Sequence, residues 1–474
     1  MSERNSVGVL DRTLGNLRRA WREIAGSARG VLTGVPRPDL SDDDAARLRQ
    51  QMLSCLDSQA SEVTVRARAA DLGRTYLALN PAGRLRFLRL LADEFDVDHD
   101  AVSAACGALA AATAPAERDG AERKMRQALT PPRVTLLRQF NALPEGVKFL
   151  VDRRAELVAQ RGDASLSGLA EDLRELLANW FDIGFLELKR ITWEAPAALL
   201  EKLMAYEAVH EIRGWTDLKN RVEADRRCFA FFHPRMPDEP LIFVEIALVN
   251  GIAGDVRALL DEAAPVSDAG AADTAIFYSI SNCQKGLVGI SLGDFLIKRV
   301  VDALTAELPR LKTFATLSPI PGFRTWLSGA AAKGGGLLSP AETKTLAPFA
   351  EASVATPEDT LLHLIDMPGW QSEAKVVAAV KGPLLRLCGR YLVSEQSRPG
   401  RALDPVAHFH LSNGARVEQL NWLGDVSERG LRQSAGIMVN YRYVLGDIEA
   451  NHEAYRGEGK VAAASAVQNL AKGG

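Results

Sequence analysis

Near Trp180 the hydrophobic period of the chain changes, and this change constrains the fold more than any other feature. From Ser41 to about Trp180, apolar residues recur at helical spacing in an Ala-, Leu-, Arg- and Glu-rich background almost free of β-branched runs, which predicts an all-helical region. In Ala82 to Phe95, Leu85, Phe87, Leu88, Leu91 and Phe95 share one broad face while Arg84, Arg86 and Glu94 lie mainly elsewhere. Such a stripe is more often core or a helix–helix contact than a ligand site. Pro81 and the pair Pro131-Pro132 mark breaks, because proline cannot continue a helix interior. Beyond Trp180, β-rich runs take over at Cys228 to Phe232, Leu241 to Val249, Thr274 to Ser281 and Lys312 to Leu317. The expected fold class is therefore multi-domain, α followed by α/β, with an all-helical domain over 1–180 and a sheet-bearing domain over 181–474.

Composition narrows the function classes. Hydrophobic residues at 47% and charged residues at 25% predict a packed core. A net charge of -3 supplies no basic footprint for nucleic acid, which is excluded as a partner. Cys55, Cys106, Cys228, Cys283 and Cys388 are scattered without a C-x-x-C pair, so neither a zinc site nor a disulfide framework is expected, and they read as reduced thiols of a cytosolic protein. The longest apolar stretch, Pro240 to Ile252, contains Glu245 and Asn250 and is shorter than the roughly 20 residues that span a bilayer, so no membrane segment is expected. Arg4, Arg12, Arg18, Arg19, Arg22 and Arg29 near the start admit a transit peptide or an amphipathic leading helix, and Glu3, Asp11 and Glu23 favour the helix. The ending Lys472-Gly473-Gly474 is not the S-K-L peroxisomal address.

Four places carry chemistry-bearing side chains. The order strand, strand, strand, glycine loop, helix, strand puts Asn282 to Gly293 at the start of a helix expected from about Asp294 to Leu308, an arrangement that attracts phosphate. Within it, Gln284 to Ile290 is either an anion-binding loop or an ordinary turn; it is neither a Walker A loop nor a full G-x-G-x-x-G. Ser318 closes the strand Lys312 to Leu317 and precedes Pro319-Ile320-Pro321-Gly322-Phe323, which must leave the sheet abruptly. Its hydroxyl either faces open space for chemistry or caps the strand end, and the lack of G-x-S-x-G argues against an α/β-hydrolase. Ala407 to Leu411 and Arg416 to Leu420 flank Ser412-Asn413-Gly414, a hairpin signal that would place His408 and His410 on one strand face. That pair is a catalytic imidazole, a metal pair without a third ligand, or two structural histidines. Tyr441 and Tyr443 share a face if extended. Gly334-Gly335-Gly336 and Ser394 to Arg401 read as mobile surface loops.

Six blocks in order resemble the malonyl-CoA decarboxylase family: Phe277 to Ser281, Gln284 to Ile290, Leu292-Gly293 with Phe295 to Val301, Leu317 to Phe323, Phe409 to Leu411 with Asn413 to Ala415, and Asn440 to Tyr443. The resemblance implies a GNAT-like acyl-CoA-binding mixed-sheet domain after a helical domain that mediates homo-oligomer contact, as a dimer or tetramer. It implies that Gln284, Lys285, Gly286, Leu287, Val288, Gly289 and Ile290 hold the CoA diphosphate. It further implies that Ser318 and His410 bind and act on the malonyl group with Tyr443 beside them; His408 lies outside the matching block. The ending departs from that of the animal members and favours a cytoplasmic setting.

Malonyl-CoA carries its own electron sink, because its thioester carbonyl lies β to the carboxylate. Hence no metal and no cofactor beyond the substrate's own coenzyme A is expected. His410 is expected to donate the proton, since an imidazole titrates near neutral pH, and Ser318 to orient the substrate. The alternatives are a GNAT-type acyltransferase using the same loop and a non-catalytic acyl-CoA sensor.

Overall fold

The structure, a computed structural model, describes residues 17–25, 36–57, 59–290, 296–334, 336–350 and 355–472. Its contacts divide the chain into two units, 1–187 with 232–241 and 283–291, and the remainder. This division falls at Glu187/Leu188 and assigns two short excursions, 232–241 and 283–291, to the helical unit. Arg4, Arg12 and Arg29 fall outside the described residues, while Arg18, Arg19 and Arg22 lie on a helix spanning 17–25.

The first unit is helical up to Trp180, as the periodicity predicts. The segment singled out above forms the helix Pro81–Glu94, with Asn80 accepting from the Gly83 amide and Pro81 in the first turn, where its missing N–H costs nothing. Phe87, Leu88 and Leu91 are buried. Pro132 likewise opens the helix Pro132–Gln139. The core centres on aromatic rings: Phe149 stacks on Phe140 at 5.0 Å and meets Trp21 edge-on at 5.0 Å, and Tyr76 meets Phe87 edge-on at 4.9 Å.

The second unit is built on a seven-stranded mixed sheet. Its strands are β1 (Glu187–Ile191), β2 (Arg226–Phe232), β3 (Ile242–Val249), β4 (Thr274–Asn282), β5 (Thr313–Thr316), β8 (Arg416–Asn421) and β9 (Met438–Tyr443), in spatial order β1-β2-β3-β4-β5-β9-β8. A separate small hairpin pairs β6 (Gln396–Arg398) with β7 (Arg401–Ala402). β4 and β5 run parallel, so the chain must cross over between them, and the helix Leu296–Glu307 belongs to that connection. Its buried stripe is Leu296, Ile297, Val300, Val301 and Leu304, as expected, while Asp294 lies outside the described residues. The helix is tied alongside β2, where Glu307 accepts from Arg227 at 2.7 Å and Arg299 lies over the Phe231 ring. Between β5 and β8 the chain makes a helical excursion that includes Phe323–Ala331, Pro357–Asp366 and Ala374–Ser394. Among the described residues no helix is long and apolar enough to cross a membrane.

Two expectations are overturned. The run expected as a strand over Ala407 to Leu411 is the helix Pro405–Ser412. Asp404 accepts from the Val406 and Ala407 amides and Pro405 sits in the first turn, so a start signal outweighs the β-like composition. Asn413-Gly414 then ends this helix instead of turning a hairpin: Asn413 donates back to the Phe409 carbonyl, Gly414 has φ +76°, and β8 pairs with β9. Ser394 to Arg401, expected as a mobile loop, holds β6 and the start of β7, turned at Gly400 with φ +74°.

Gly414 shows how tightly this helix end is seated, because a Cβ there would lie 2.2 Å from the Ile448 carbonyl oxygen. Gly414→Ala is expected to destabilise the protein by about 1–2 kcal/mol from the left-handed backbone, with the clash adding to this. Gly107, which has open space on the helix His99–Ala111, should instead gain roughly 0.5–1 kcal/mol on conversion to alanine. Thermal denaturation of the two variants checks the contrast.

Candidate active site

β alternation puts Thr316 and Ser318 on one side of the chain, two residues apart. Ser318 is held by its backbone: its N–H donates to the Val439 carbonyl at 2.8 Å, and its carbonyl accepts from the Val439 N–H at 3.0 Å. Its hydroxyl donates to Thr316 Oγ1 at 2.8 Å and lies 3.3 Å from His410 Nε2. Thr316 Oγ1 also accepts from the Tyr441 N–H at 3.1 Å, which locks β5 to β9 beside the hydroxyl pair.

His410 comes from the last turn of the helix Pro405–Ser412, and Tyr443 closes β9. Tyr443 Oη is 2.8 Å from His410 Nδ1, and the Tyr441 ring stacks on the imidazole at 4.6 Å and 23°. Tyr441 and Tyr443 thus share the strand face that their spacing predicts. With Ser318 donating to Thr316, the imidazole donates through Nε2–H to Ser318 and accepts the Tyr443 hydroxyl at Nδ1. The result is one buried chain, Tyr443 to His410 to Ser318 to Thr316, with all four residues at most 5% exposed.

Among the described residues no carboxylate joins this chain, and that decides its electrostatics. Burial pushes the His410 pKa down to about 3, and burial raises the Tyr443 phenol well above its ordinary value. His410 is therefore neutral at pH 7, which corrects the expectation that it titrates near neutrality in the free protein.

His408 is elsewhere. Residues two apart on a helix point to nearly opposite sides, and His408 Nδ1 lies 2.9 Å from Tyr455 Oη, away from the Ser318 chain. The two histidines therefore cannot share a metal. Among the described residues no three His, Cys, Asp or Glu side chains gather as a metal ion requires.

A cleft of about 280 Å³ reaches Tyr443. Lys298, Arg456, His452 and Asn413 line it with apolar Ile297 and Val301. His452 donates through Nδ1 to the Ser412 carbonyl at 2.6 Å, so its Nε2 is left as an acceptor when neutral. Asn413 Oδ1 is buried without a hydrogen-bond partner, an acceptor open to a donor.

The loop Gln284–Ile290 belongs to the other unit, where much of it is committed to structure. Gln284 donates to the Pro240 carbonyl at 2.9 Å, and Arg154 reaches the Gly286 and Val288 carbonyls. A Cβ at Gly286 would sit 1.8 Å from the Val151 carbonyl oxygen, so this glycine serves close packing on the helix Gly146–Ala159. Gly286 and Leu287 are buried, whereas Lys285, Val288 and Gly289 face solvent and Ile290 is half-buried. Gly293 lies outside the described residues.

Two family models match most of the chain. The model described as malonyl-CoA decarboxylase C-terminal domain matches residues 184–474, and the one described as malonyl-CoA decarboxylase N-terminal domain matches residues 95–181. The chain belongs to the malonyl-CoA decarboxylase family. The protein named malonyl-CoA decarboxylase, mitochondrial, of Anser anser anser is 39% identical over 415 residues, which cover 84% of this chain and 82% of that one. Its namesake in Mus musculus is 37% identical over 467 residues, covering 95% and 93%. Crystal structures of malonyl-CoA decarboxylase from Rhodopseudomonas palustris and Agrobacterium vitis superpose with TM-scores of 0.81 and 0.82 at 41% and 43% identity, each covering 90% of this chain and 99% of the other. Of the residues that the sequence singles out, the structure brings Ser318, His410 and Tyr443 together, and it adds Thr316 to them. Thr316 was legible from its i, i+2 relation to Ser318. Asp404-Pro405 was a helix-start signal passed over.

His410 takes up a proton near pH 6.5 when unfolded and only near pH 3 when folded, so its burial contributes stability that is full above pH 6.5 and is lost as pH falls towards 3. Nitrogen NMR of the imidazole in the ligand-free protein is expected to show one neutral tautomer from pH 5 to 8. A titration midpoint inside that window would contradict this electrostatic account.

Proposed function

We propose that this chain decarboxylates malonyl-CoA to acetyl-CoA, with His410 as proton donor and Ser318 as the group that orients the thioester. The observation that carries the reading is the buried Ser318–His410–Tyr443 chain. His410 is neutral in the free protein, so its donor role requires the substrate's own charge. A malonyl carboxylate brought beside this buried ring favours the imidazolium and loads the ring from solvent. As the C–C bond breaks, carbon dioxide leaves and the electron pair passes into the thioester enolate. The imidazolium then gives its proton to the α-carbon and returns to neutral, leaving acetyl-CoA. The Ser318 hydroxyl turns from Thr316 to hydrogen-bond the thioester oxygen, where charge develops. Tyr443 fixes the imidazole through Nδ1.

Because the thioester carbonyl is itself the electron sink, the reaction is proposed to run without metal or added cofactor. The CoA diphosphate is assigned to Gln284–Ile290, and within that loop the solvent-facing Lys285, Val288 and Gly289 and the half-buried Ile290 are the positions open to a ligand. The chain is proposed to form a dimer or tetramer through its helical unit, supported by exposed Leu53, Val63 and Leu129, and sedimentation of the full chain reads this directly. A cytoplasmic setting completes the reading, supported by five cysteines that form no disulfide, four of them buried.

Purified protein with a chelator present should release carbon dioxide from malonyl-CoA. His410→Ala should lower kcat by about 10²-fold or more, the scale of a lost general acid, and His408→Ala far less. Ser318→Ala should also lower kcat, and the double variant should lose less than the product of the two single effects. A His410→Ala enzyme with near wild-type turnover would remove the imidazole from this role. Acetyl transfer to an amine without carbon dioxide release would replace the reading with an acyltransferase.

A further inference from the structure

We infer that Asp404 is a positioning residue that sets the distance between Ser318 and His410, by joining the segment that leaves one to the segment that begins the other. The inference rests on the catalytic reading of that pair given above. Asp404 is 1% exposed, yet its carboxylate is surrounded by donors. Oδ1 accepts from the Val406 and Ala407 amides at 2.9 and 3.0 Å, which starts the helix carrying His410. Oδ2 accepts from the Gly322 amide at 3.1 Å, four residues after Ser318. The Tyr391 hydroxyl, from the helix Ala374–Ser394, donates to the same carboxylate.

The geometry makes this more than a helix cap. An ordinary cap satisfies amides of its own helix, and an Asp or a Ser does so about equally well. Here the second oxygen crosses to a different segment, which a short serine side chain cannot reach. Between Ser318 and Gly322 stand Pro319 and Pro321, whose φ angles are fixed, so a pull on the Gly322 amide passes to Ser318 with little slack. On the other side, His410 follows Asp404 by under two helical turns, so tilt at the cap moves the imidazole. Gly322 is shaped for the contact: a Cβ there would lie 2.3 Å from Tyr391 Oη and 3.4 Å from Asp404 Oδ2. The carboxylate is also needed as an acceptor at both oxygens, because an amide would face the Gly322 N–H with a donor of its own.

The test separates positioning from capping. Asp404→Ser keeps a cap and loses the bridge, Asp404→Asn opposes the bridge, and Gly322→Ala crowds it without touching the helix. Thr356→Ala is the control, since Thr356 caps the helix Pro357–Asp366 by accepting from the Asp359 amide and touches neither segment. The three bridge variants should lower kcat by about 10-fold to 100-fold, the scale of a misplaced catalytic group, and leave KM within about threefold. Their His410 imidazole resonances should shift, and those of Thr356→Ala should match wild type in both respects. Asp404→Ser with turnover within about twofold of wild type and an unshifted His410 would overturn the inference. If Asp404→Ser does not fold, Gly322→Ala decides by the same two readings. Absence of carbon dioxide release by wild type would sink the decarboxylase reading alone, because the His410 resonances still report whether Asp404 sets the imidazole.

Discussion

A buried imidazole without a carboxylate partner governs the rest of the site. Charging His410 in the free protein would place an uncompensated cation among Tyr441, Tyr443 and Phe409, which costs several kcal/mol in such surroundings. The ring therefore rests neutral between a phenol and a hydroxyl, and in the reaction proposed above it accepts a proton when the substrate's anion lies beside it. The substrate class proposed brings that anion. In the reaction proposed above, the same burial would favour loss of carbon dioxide, because a carboxylate stripped of water is less stable than the neutral gas and the delocalised enolate that replace it.

Holding that ring next to Ser318 requires elements far apart in the chain. Ser318 and His410 are 92 positions apart and come within 3.3 Å because β5 and β9 are neighbours in the sheet and the helix Pro405–Ser412 is tied to both. Asn440 reinforces the seam by donating to the Thr316 carbonyl at 2.5 Å and the Ala253 carbonyl at 2.9 Å while accepting from Asn421 at 2.7 Å. Asp404 supplies the remaining link from outside the sheet. Asn440 and Asp404 are themselves almost wholly buried, so the loss of either set of ties is costly.

Much of this was legible in the sequence, for reasons that can be named. Strands with both faces buried, β2 and β3, read as mostly apolar runs interrupted only by Arg226, Arg227 and Glu245, and the helical stripe of Leu296, Val300 and Leu304 read at its own period. Ser318 stood out because two prolines follow it closely. The error at Ala407 to Leu411 arose where eight residues admit either period and the Asn-Gly that follows signals a hairpin as well as a helix end. The start signal Asp404-Pro405 decides the segment in favour of a helix. His410 stayed a candidate because its identity carried the chemistry, but its neutrality could not be read from spacing, since it depends on which side chains surround the ring in three dimensions. The glycine loop shows the opposite limit. Gly286 looked like a residue freed for a ligand, and the structure spends it on close packing against Val151.

The central claim, that bound substrate charge loads a neutral His410, is tested most directly by proton uptake on binding. Calorimetry of a malonyl-CoA analogue that cannot decarboxylate, run in buffers of different ionisation enthalpy, reads the number of protons taken up per site. At pH 8 the account predicts net uptake approaching one proton in the wild-type protein and none in His410→Gln. Equal uptake in the two proteins, or none in either, would contradict it.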